Sequence, residues 1–424
     1  MSGTQLRRLT LVERYLGRRG PGRTIAMAGF VDMLGAGLHL SVLPLYLVRF
    51  AGVSPGQVGL VVGASGVAAL LAPYLAGYLA DRASPLPVWR TTVALRMVGY
   101  GAFVLVDSLW SYALLALFLT PLDRATSNAQ LSYLVAGFEA DERNRTTAAV
   151  RTCRNAGLSV GLLVASLFLA VDTKPAYQAA FLVNAVSFLL LLGALARLPA
   201  IRRPLPAPAP QPAPPAPAPP ARRAERPAPA TNPWTDLRYL SLTAGDALMS
   251  AHTTVLFVVF PLWVATHQRF PAELLGILLA LNSVATMALQ PPLSELGTGL
   301  RNAGRLIRWA GAALLGCGAL FWAASVVDTT AAAIALAVAA ILALTLGENL
   351  QEVAVFEASH RLAPAAAIGR YLGVFSLGDS TQRIVGPSAL TAVLVATPAG
   401  WAIFMAVTGL GALGVLRALG DDND

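Results

Sequence analysis

The sequence predicts an all-α integral membrane protein in which about twelve transmembrane helices form two pseudo-symmetric six-helix bundles. Three observations lead to this fold class. The 424 residues are 56% hydrophobic and only 12% charged, with a mean hydropathy of +0.62, whereas about a quarter of the residues in soluble domains are charged. Apolar stretches of roughly 20 residues, long enough to cross a bilayer, recur along the chain. Related residues also recur at matching places in its two halves.

Twelve segments have the length and apolar character that a membrane span requires. They lie near residues 24–49, 56–80, 88–107, 110–138, 147–171, 175–199, 237–265, 272–295, 304–327, 330–357, 366–394 and 398–419. The first segment follows a basic start but is too long for the apolar region of a cleavable signal peptide. We therefore expect it to be the first membrane-spanning helix.

Basic residues alternate between loops, which predicts the orientation because basic loops resist translocation. Arginines cluster before span 1 and beside alternate loops, at Arg7, Arg8, Arg14, Arg18, Arg19, Arg23, Arg82, Arg90, Arg143, Arg145, Arg151, Arg154, Arg301, Arg305, Arg361 and Arg370. The other loops hold only Arg49, Lys174 and Arg269 as basic residues. We expect a multi-pass protein of the plasma membrane with both termini in the cytoplasm.

The net charge of +9 does not indicate a nucleic-acid partner. The arginines are spread over juxtamembrane loops and form no single stripe with interleaved aromatic residues. Orientation and contact with anionic lipids account for them. The two cysteines, Cys153 and Cys317, indicate neither a disulfide framework nor a metal site. We expect a monomer without cofactors.

A proline- and alanine-rich segment divides the chain between residues 202 and 233. Such a segment favours polyproline II and buries no core. We expect an N-terminal six-helix half at 1–200, a cytoplasmic tether at 201–235 and a C-terminal six-helix half at 236–424. Docking of a proline-reading module is an alternative use of the tether.

The two halves show weak internal similarity. An offset of 217 carries Pro44-Leu45-Tyr46 onto Pro261-Leu262-Trp263, and an offset of 225 carries Asp123 onto Glu348 and Arg124 onto Asn349. The matches keep the same order in both halves, which favours a true repeat. Repeats of this kind are common in transporters, where the binding site lies at the repeat interface.

Ionisable residues inside spans are informative, since a charge at the bilayer centre costs about 2.5–3.5 kcal/mol or more. They concentrate in the first and fourth spans of each half: Asp32, His39, Asp123, Arg124, Asp246, His252, Glu348 and Glu352. We interpret spans 3, 6, 9 and 12 as supporting helices with almost no charge in their middles. The pattern predicts a midplane cavity lined by spans 1, 4, 7 and 10.

Three residues of the first half are candidates for proton coupling. Asp32 lies eight residues inside span 1, roughly 12 Å deep at 1.5 Å per residue, and is a candidate proton carrier; permanent pairing with Arg124 or another base is the alternative. Asp123 and Arg124 are neighbours that point about 100° apart on a helix, so they are expected to have different partners. Arg124 is a candidate switch between paired and protonated carboxylates.

The second half supplies candidates for the substrate cavity. Asp246 and Glu348 are expected to bind a cationic substrate or a second proton, with Asn349 beside them. Glu352 lies one turn nearer the cytoplasm, where simple solvation is the alternative to a functional role. His39 and His252 titrate in the physiological range, with a packing role as the alternative. Asp379 and Arg383 have the spacing of an intrahelical ion pair.

Two common enzyme motifs are absent: the chain lacks Gly-x-x-x-x-Gly-Lys-[Ser/Thr] and His-Glu-x-x-His. It also lacks a nucleotide-binding domain. We therefore expect no enzymatic activity, and we expect transport to be driven by an ion gradient or by the gradient of the substrate itself.

Between spans 2 and 3, Gly77-Tyr78-Leu79-Ala80-Asp81-Arg82 is similar to the opening of the signature loop of the major facilitator superfamily. The resemblance implies that Gly77, Asp81 and Arg82 belong to a cytoplasmic gate. The continuation Ser84-Pro85-Leu86-Pro87 departs from that signature, and Arg90 is a candidate substitute for its basic residues.

Two further motifs resemble the twelve-span drug:proton antiporters of this superfamily. Leu34-Gly35-Ala36-Gly37 with Leu43-Pro44-Leu45-Tyr46 resembles the span 1 motif, and Arg124 falls where the span 4 motif places an arginine tied to proton coupling. Ser127-Asn128 replaces the following Gln-Gly. The span 5 signature is represented only by Gly157 and Gly161.

These observations predict a proton-coupled exporter of a small amphiphilic compound, such as a drug or natural product. Asp32, Asp123, Asp246 and Glu348 outnumber Arg124, which favours a neutral or cationic substrate. An uptake symporter for a nutrient or osmolyte is the first alternative, and a transport-silent membrane sensor is the second. The expected partners are the substrate, protons and the lipid bilayer.

Overall fold

The computed structural model describes residues 20–72, 75, 78, 84–200, 232–266, 270–364, 367–395 and 400–420. Within these ranges the chain is helical and forms no strand, which confirms the all-α fold. The predicted gate residues Gly77, Asp81 and Arg82 lie outside the described residues, as does 201–231 of the predicted tether.

Twelve helical stretches follow the twelve predicted spans within the described ranges. The first half contains α1 (Pro21–Arg49), α2 (Pro55–Ala68), α3 (Pro85–Gly101), α4 (Leu109–Gly137), α5 (Ala140–Val171) and α6 (Lys174–Ala196). The second half contains α7 (Leu237–Thr266), α8 (Glu273–Leu296), α9 (Leu300–Val326), α10 (Thr330–Leu362), α11 (Ile368–Leu394) and α12 (Gly400–Leu419). Short 3₁₀ turns extend α2 and α3.

Eight of these helices are long and apolar enough to cross a membrane by length and composition. The others are α2, α3, α4 and α11. The last three carry charges well inside their length: Arg96 in α3, Asp123 and Arg124 in α4, and Asp379 and Arg383 in α11. These charged residues make α3, α4 and α11 less hydrophobic than the eight other helices. The fold brings the same residues to the centre of the molecule.

Local sequence accounts for several helix ends. Ser54 and Gln57 form a reciprocal capping box at the start of α2, where Pro55 takes the first helical position. Asp236 caps α7 by accepting a hydrogen bond from the backbone N–H of Tyr239 at 3.0 Å. These caps satisfy backbone donors that have no partner within the first turn of the helix.

Helix α7 is irregular near its middle. Its α-helical part Leu237–Met249 is followed by the turn Ala251–Thr254, a π-helical segment Val255–Val259 and the final part Phe260–Thr266. A π-helical segment shifts side chains around the helix axis and frequently lies at a functional site. In this chain it adjoins the central cavity described below.

Close packing between α1 and α5 requires glycine at two positions of α5. A Cβ atom on Gly157 would overlap the backbone oxygen of Phe30, and one on Gly161 would overlap the backbone oxygen of Leu34. Small residues of this kind let helix backbones approach closely in membranes. The pair that resembled the span 5 signature thus holds the two helices together.

The two six-helix bundles share one apolar core at one end of the molecule and have separate cores at the other. We call the end where α7 begins and α12 ends the terminal end. There Arg238 donates hydrogen bonds to the backbone oxygens of Ala418 and Leu419 at 2.6 and 2.9 Å. At the opposite end one apolar core combines residues of both bundles, including Tyr46, Phe181, Phe260, Trp263 and Trp401. At the terminal end each bundle has a core of its own, around Trp89 and Tyr133 in the first and around Tyr239 and Tyr371 in the second.

Close contacts also join the two bundles. A Cβ atom on Gly59 of α2 would overlap the backbone oxygen of Pro387 in α11, and one on Gly276 of α8 would overlap that of Leu162 in α5. Ser159 Oγ also donates a hydrogen bond to Ser283 Oγ at 2.8 Å. Shared packing at the opposite end and separate cores at the terminal end describe a conformation that opens towards the terminal end.

Candidate functional site

A cavity of about 570 Å³ lies between the two bundles. Residues of α1, α2, α4, α7 and α11 line it, together with Tyr100 of α3 and Phe103 of the turn that follows. The predicted contributions of spans 1, 4 and 7 are present. The described lining includes no residue of α10, and α2 and α11 contribute where the sequence analysis expected α10.

An ion-paired network fills the space between α1, α3 and α4. The guanidinium of Arg96 bridges two carboxylates, with Nη1 at 2.8 Å from Asp32 Oδ1 and Nε at 2.6 Å from Asp123 Oδ1. Arg154 Nη1 lies 3.5 Å from Asp32 Oδ2, and Tyr100 donates a hydrogen bond to Asp123 Oδ2 at 2.9 Å. Both first-half carboxylates therefore have cationic partners.

Arg96 is the residue of this network that sequence reasoning missed. Its side chain is only 6% exposed, and its guanidinium carbon lies 4.8 Å from the centre of the Phe188 ring. The interpretation of span 3 as almost free of charge is wrong, because Arg96 satisfies the acids of spans 1 and 4. The available signal was a single arginine near the middle of an apolar segment.

Arg124 does not contact Asp32, the partner considered for it. The side chain of Asp123 lies towards Arg96, whereas Arg124 is exposed on the cavity wall. Among the described residues Arg124 has no ion pair and no hydrogen bond through its side chain. The sequence predicted different partners for these helix neighbours, and the described residues include a partner for Asp123 but none for Arg124.

Asp246 in α7 has a neutral partner. Gln351 of α10 donates a hydrogen bond from Nε2 to Asp246 Oδ1 at 2.8 Å, and the same nitrogen lies 3.1 Å from Ser250 Oγ. Asp246 is buried. In the part of the chain that the structure describes, no arginine, lysine or histidine forms an ion pair with it.

Glu348 in α10 also has a neutral partner. Asn282 of α8 donates from Nδ2 to Glu348 Oε2 at 3.2 Å and to Thr345 Oγ1 at 2.9 Å. The neighbouring Asn349 is directed instead to Thr286 Oγ1 at 3.2 Å. Glu348 and Asn349 therefore lie at the junction of α8 and α10, outside the described cavity lining.

Glu352 follows Glu348 by one turn in the direction of the terminal end. It is exposed, accepts a hydrogen bond from Gln290 at 3.4 Å and lies near enough to Arg151 and Arg383 to interact with both electrostatically. Arg383 forms the predicted intrahelical pair with Asp379 at 2.9 Å. Solvated charges thus lie between Glu348 and the open end of the molecule.

The two histidines have different environments. His39 lies on the cavity wall among aromatic rings, with ring centres 4.8 Å from Tyr100 and 4.7 Å from Phe103, and its buried Nδ1 atom has no hydrogen-bond partner. His252 is buried in α7, where Nδ1 lies 3.5 Å from Thr253 Oγ1. His39 is therefore the histidine with direct access to the cavity.

Comparisons with known proteins agree on the fold. The sequence model of the Major Facilitator Superfamily matches residues 25–387. A mutant form of the nucleoside transporter NupG superimposes with a TM-score of 0.72 at 15% identity, covering 94% of this chain and 100% of that chain. An auto-inhibited POT family peptide transporter gives a TM-score of 0.66 at 16% identity, covering 94% and 96% of the two chains.

A bacterial homologue of the human lysosomal transporter Spinster, solved in an inward-facing and occupied conformation, has a TM-score of 0.65 at 12% identity, with 93% of this chain and 92% of that chain covered. No curated protein sequence matches the chain. Identities this low establish a shared fold alone. The family model covers most of the chain, however, and the chain therefore belongs to the Major Facilitator Superfamily, as a multi-pass membrane transporter of small molecules and not an enzyme.

Proposed function

We propose that this transporter couples the export of a small amphiphilic compound to proton entry, and that Glu348 carries the proton. The observation that supports this most strongly is the environment of Glu348. Its described hydrogen-bond partner is the neutral amide of Asn282, and the charged group that interacts with it electrostatically is another carboxylate, that of Glu352. Proton uptake removes the cost of an unpaired, half-buried charge and leaves the hydrogen bond in place.

Asp246 has a similar environment and is the candidate for a second proton. Its carboxylate accepts a hydrogen bond from Gln351, while Asp379 and Glu352 lie near enough to interact with it electrostatically. No cation among the described residues forms an ion pair with Asp246, so proton uptake there breaks no ion pair. The described charges around Asp246 therefore support reversible protonation.

Glu352 offers a route between Glu348 and water at the terminal end. The two carboxylates lie on the same face of α10, about 6 Å apart along the helix axis at 1.5 Å per residue. Glu352 is exposed, and its neighbours Arg151 and Arg383 belong to opposite bundles. A change in the separation of the bundles would alter these interactions and, through them, the protonation of Glu348.

The first-half network has a different part in this proposal. Asp32 is held by Arg96 and Arg154, and we assign it a positioning role in place of the proton-carrier role considered from the sequence. Asp123 both lines the cavity and pairs with Arg96. A substrate that competes for Asp123 would act on the whole network, which makes Asp123 the coupling residue of the first half.

The proposed orientation follows the arginine distribution. Basic residues collect in the loops of the terminal end, which favours a cytoplasmic position for both termini and for the 201–235 tether between the 1–200 and 236–424 halves. In this orientation the open cavity faces the cytoplasm. That is the side from which an exporter takes up its substrate.

The cavity charge differs from the sequence-based expectation. Four carboxylates were expected to favour neutral or cationic compounds. Among the described lining residues only Asp123 and Asp379 are acidic, and each has an arginine partner. We therefore retain an amphiphilic substrate but find no excess of negative charge that would select a cation.

The test is efflux of a panel of dyes and antibiotics from a pump-deficient host that expresses the full chain, before and after collapse of the proton gradient. We expect wild-type efflux to depend on the gradient and Glu348→Gln to lose that dependence. Glu357→Gln is the matched control, since it makes the same change on the same helix at the terminal end, and it should retain gradient-dependent efflux.

Three results would contradict the proposal. Efflux that continues unchanged after gradient collapse would remove proton coupling, and a Glu348→Gln variant with full gradient dependence would remove Glu348 as carrier. Gradient-dependent uptake in place of efflux would support the symporter alternative and overturn the proposed direction.

A further inference from the structure

We infer that the central cavity binds an organic anion with an aromatic ring, with the anionic group on Arg124 and the ring against a wall formed by His39, Tyr100, Phe103 and Tyr112. This inference names the substrate class of the proposed transporter and so rests on the proposed function. It differs from the expectation of a neutral or cationic substrate. The contacts of each charged group in the cavity support it.

Arg124 is the first element of the site. Its side chain is exposed on the cavity wall, and in the described part of the chain no carboxylate, carbonyl or hydroxyl oxygen lies within bonding distance of it. Asp123, its neighbour in sequence, has both carboxylate oxygens occupied by Arg96 and Tyr100. The guanidinium of Arg124 is therefore available to a ligand.

The remaining charges of the cavity wall are balanced. Asp379 and Arg383 pair with each other, with Arg383 Nε at 2.9 Å from Asp379 Oδ2. Asp123 and the neighbouring Asp32 are balanced by two cations, since Arg96 binds both carboxylates and Arg154 pairs with Asp32. Among the described lining residues the uncompensated charge is thus the single positive charge of Arg124, which complements an anionic ligand.

The aromatic wall is the second element. His39, Tyr100, Phe103 and Tyr112 all line the cavity. The His39 ring packs edge-on against Tyr100 and Phe103, with ring centres under 5 Å apart. Its Nδ1 atom is buried and has no hydrogen-bond partner among the described atoms, so this wall offers a ring surface to the ligand.

The two elements together define the ligand. A guanidinium binds a carboxylate through two parallel hydrogen bonds, which an ammonium or a neutral amide ligand cannot accept in the same way. The cavity volume of about 570 Å³ lies within the range of roughly 300–1,000 Å³ that is typical of small-molecule sites. A fused two-ring aromatic carboxylate fits this description.

The experiment compares three probes of matched shape on purified full-length protein in lipid nanodiscs: 2-naphthoate, 2-naphthamide and 2-naphthylmethylammonium. Binding is measured by isothermal titration calorimetry without any proton gradient. We expect 2-naphthoate to bind at least about tenfold more tightly than the amide, the gain expected of a charge-assisted contact, and the ammonium to bind most weakly.

Variants assign the preference to Arg124. Arg124→Gln should reduce the affinity for 2-naphthoate to that for the amide while leaving amide binding unchanged, and Arg124→Lys should retain part of the preference. The matched control is Arg305→Gln, which removes an exposed arginine of α9 that lies outside the cavity lining. This variant should bind all three probes as the wild type does.

Equal binding of the anion and the amide, tighter binding of the ammonium, no binding of any probe, or an unchanged preference in Arg124→Gln would each overturn the inference. None of these results depends on a gradient or on Glu348. Failure of the substrate class can therefore be distinguished from failure of proton coupling, which the efflux experiment measures separately.

Discussion

The two halves of this transporter hold their intramembrane carboxylates in opposite ways. In the first half, Asp32 and Asp123 are bound by the guanidinium of Arg96. In the second half, Glu348 and Asp246 accept hydrogen bonds from the neutral amides of Asn282 and Gln351. The repeat that we predict from the sequence aligns Asp123 with Glu348, so under that alignment corresponding positions have different partners.

We infer from this difference that the carboxylates of the first half keep a constant charge, whereas those of the second half change their charge by binding and releasing a proton. A carboxylate paired with arginine is favoured in its ionised form, because protonation would break the ion pair. A carboxyl group held by an amide can gain or lose a proton while it keeps the hydrogen bond. The first half is thus suited to structural support and substrate contact, and the second half to proton transfer.

The largest expected effect is on the stability of the first half. Arg96→Met leaves Asp123 without a cation and Asp32 with Arg154 alone, and it should lower the free energy of unfolding by about 3–5 kcal/mol. Thermal unfolding of the purified protein in one detergent measures this loss. The triple variant with Asp32→Asn and Asp123→Asn removes the uncompensated charges and should recover part of it.

The triple variant is also the control for lost packing against Phe188. If Arg96→Met unfolds at the wild-type temperature, or if the two added asparagines bring no recovery, the ion-paired network does not support the first half. The claim that ion pairs stabilise the first half, on which the comparison between the halves depends, would then be wrong.

The second effect concerns transport more than stability. Glu348→Gln keeps a side chain of the same shape that can still accept the hydrogen bond from Asn282, so its thermal unfolding should stay close to that of the wild type. In proteoliposomes it should exchange substrate across the membrane but no longer accumulate it in response to a proton gradient. Accumulation at the wild-type level would show that a residue other than Glu348 carries the proton.

Much of the fold could be predicted from the sequence. Twelve helices follow the apolar segments, and Asp379 and Arg383 pair as their spacing predicted. The partners of the buried acids could not be predicted in the same way. Arg96 lies 64 residues from Asp32, and Asn282 lies 66 residues from Glu348, so only the packing of helices brings them together.

The search for site residues in the sequence considered ionisable side chains, and it therefore missed two neutral residues of the site. Asn282 and Gln351 are uncharged and do not stand out within apolar spans, yet their amides decide which carboxyl groups lack a cation. The contributions of α2 and α11 to the cavity arise from contacts such as Gly59 with Pro387. Polar content alone pointed to α10, which packs its acids against α7 and α8.

The third effect concerns the contact between the two bundles where α8 packs against α5. A Cβ atom at Gly276 would overlap the backbone of α5 at Leu162, so Gly276→Ala should separate α8 from α5 and cost about 1–3 kcal/mol. The matched control is Gly316→Ala in α9, where a Cβ atom meets nothing within 4 Å. Thermal unfolding of both variants measures the difference, and equal unfolding temperatures would contradict close packing at this junction.

The smallest effect concerns an exposed ion pair. Asp379 and Arg383 are 48% and 50% exposed, and such pairs contribute at most about 1 kcal/mol. Asp379→Asn should therefore shift the thermal unfolding temperature far less than Arg96→Met does. A loss as large as that of Arg96→Met would show that burial does not explain the strength of the first-half network.

The most direct test of the central claim is an infrared pH titration of the purified protein in lipid, which follows the carbonyl band of protonated carboxyl groups without any substrate. The account predicts that Glu348→Gln removes a titrating component of this band, whereas Asp32→Asn leaves the band unchanged. If Asp32→Asn removes the component and Glu348→Gln does not, the first half carries the proton, and the assignment of constant and variable charge to the two halves is wrong.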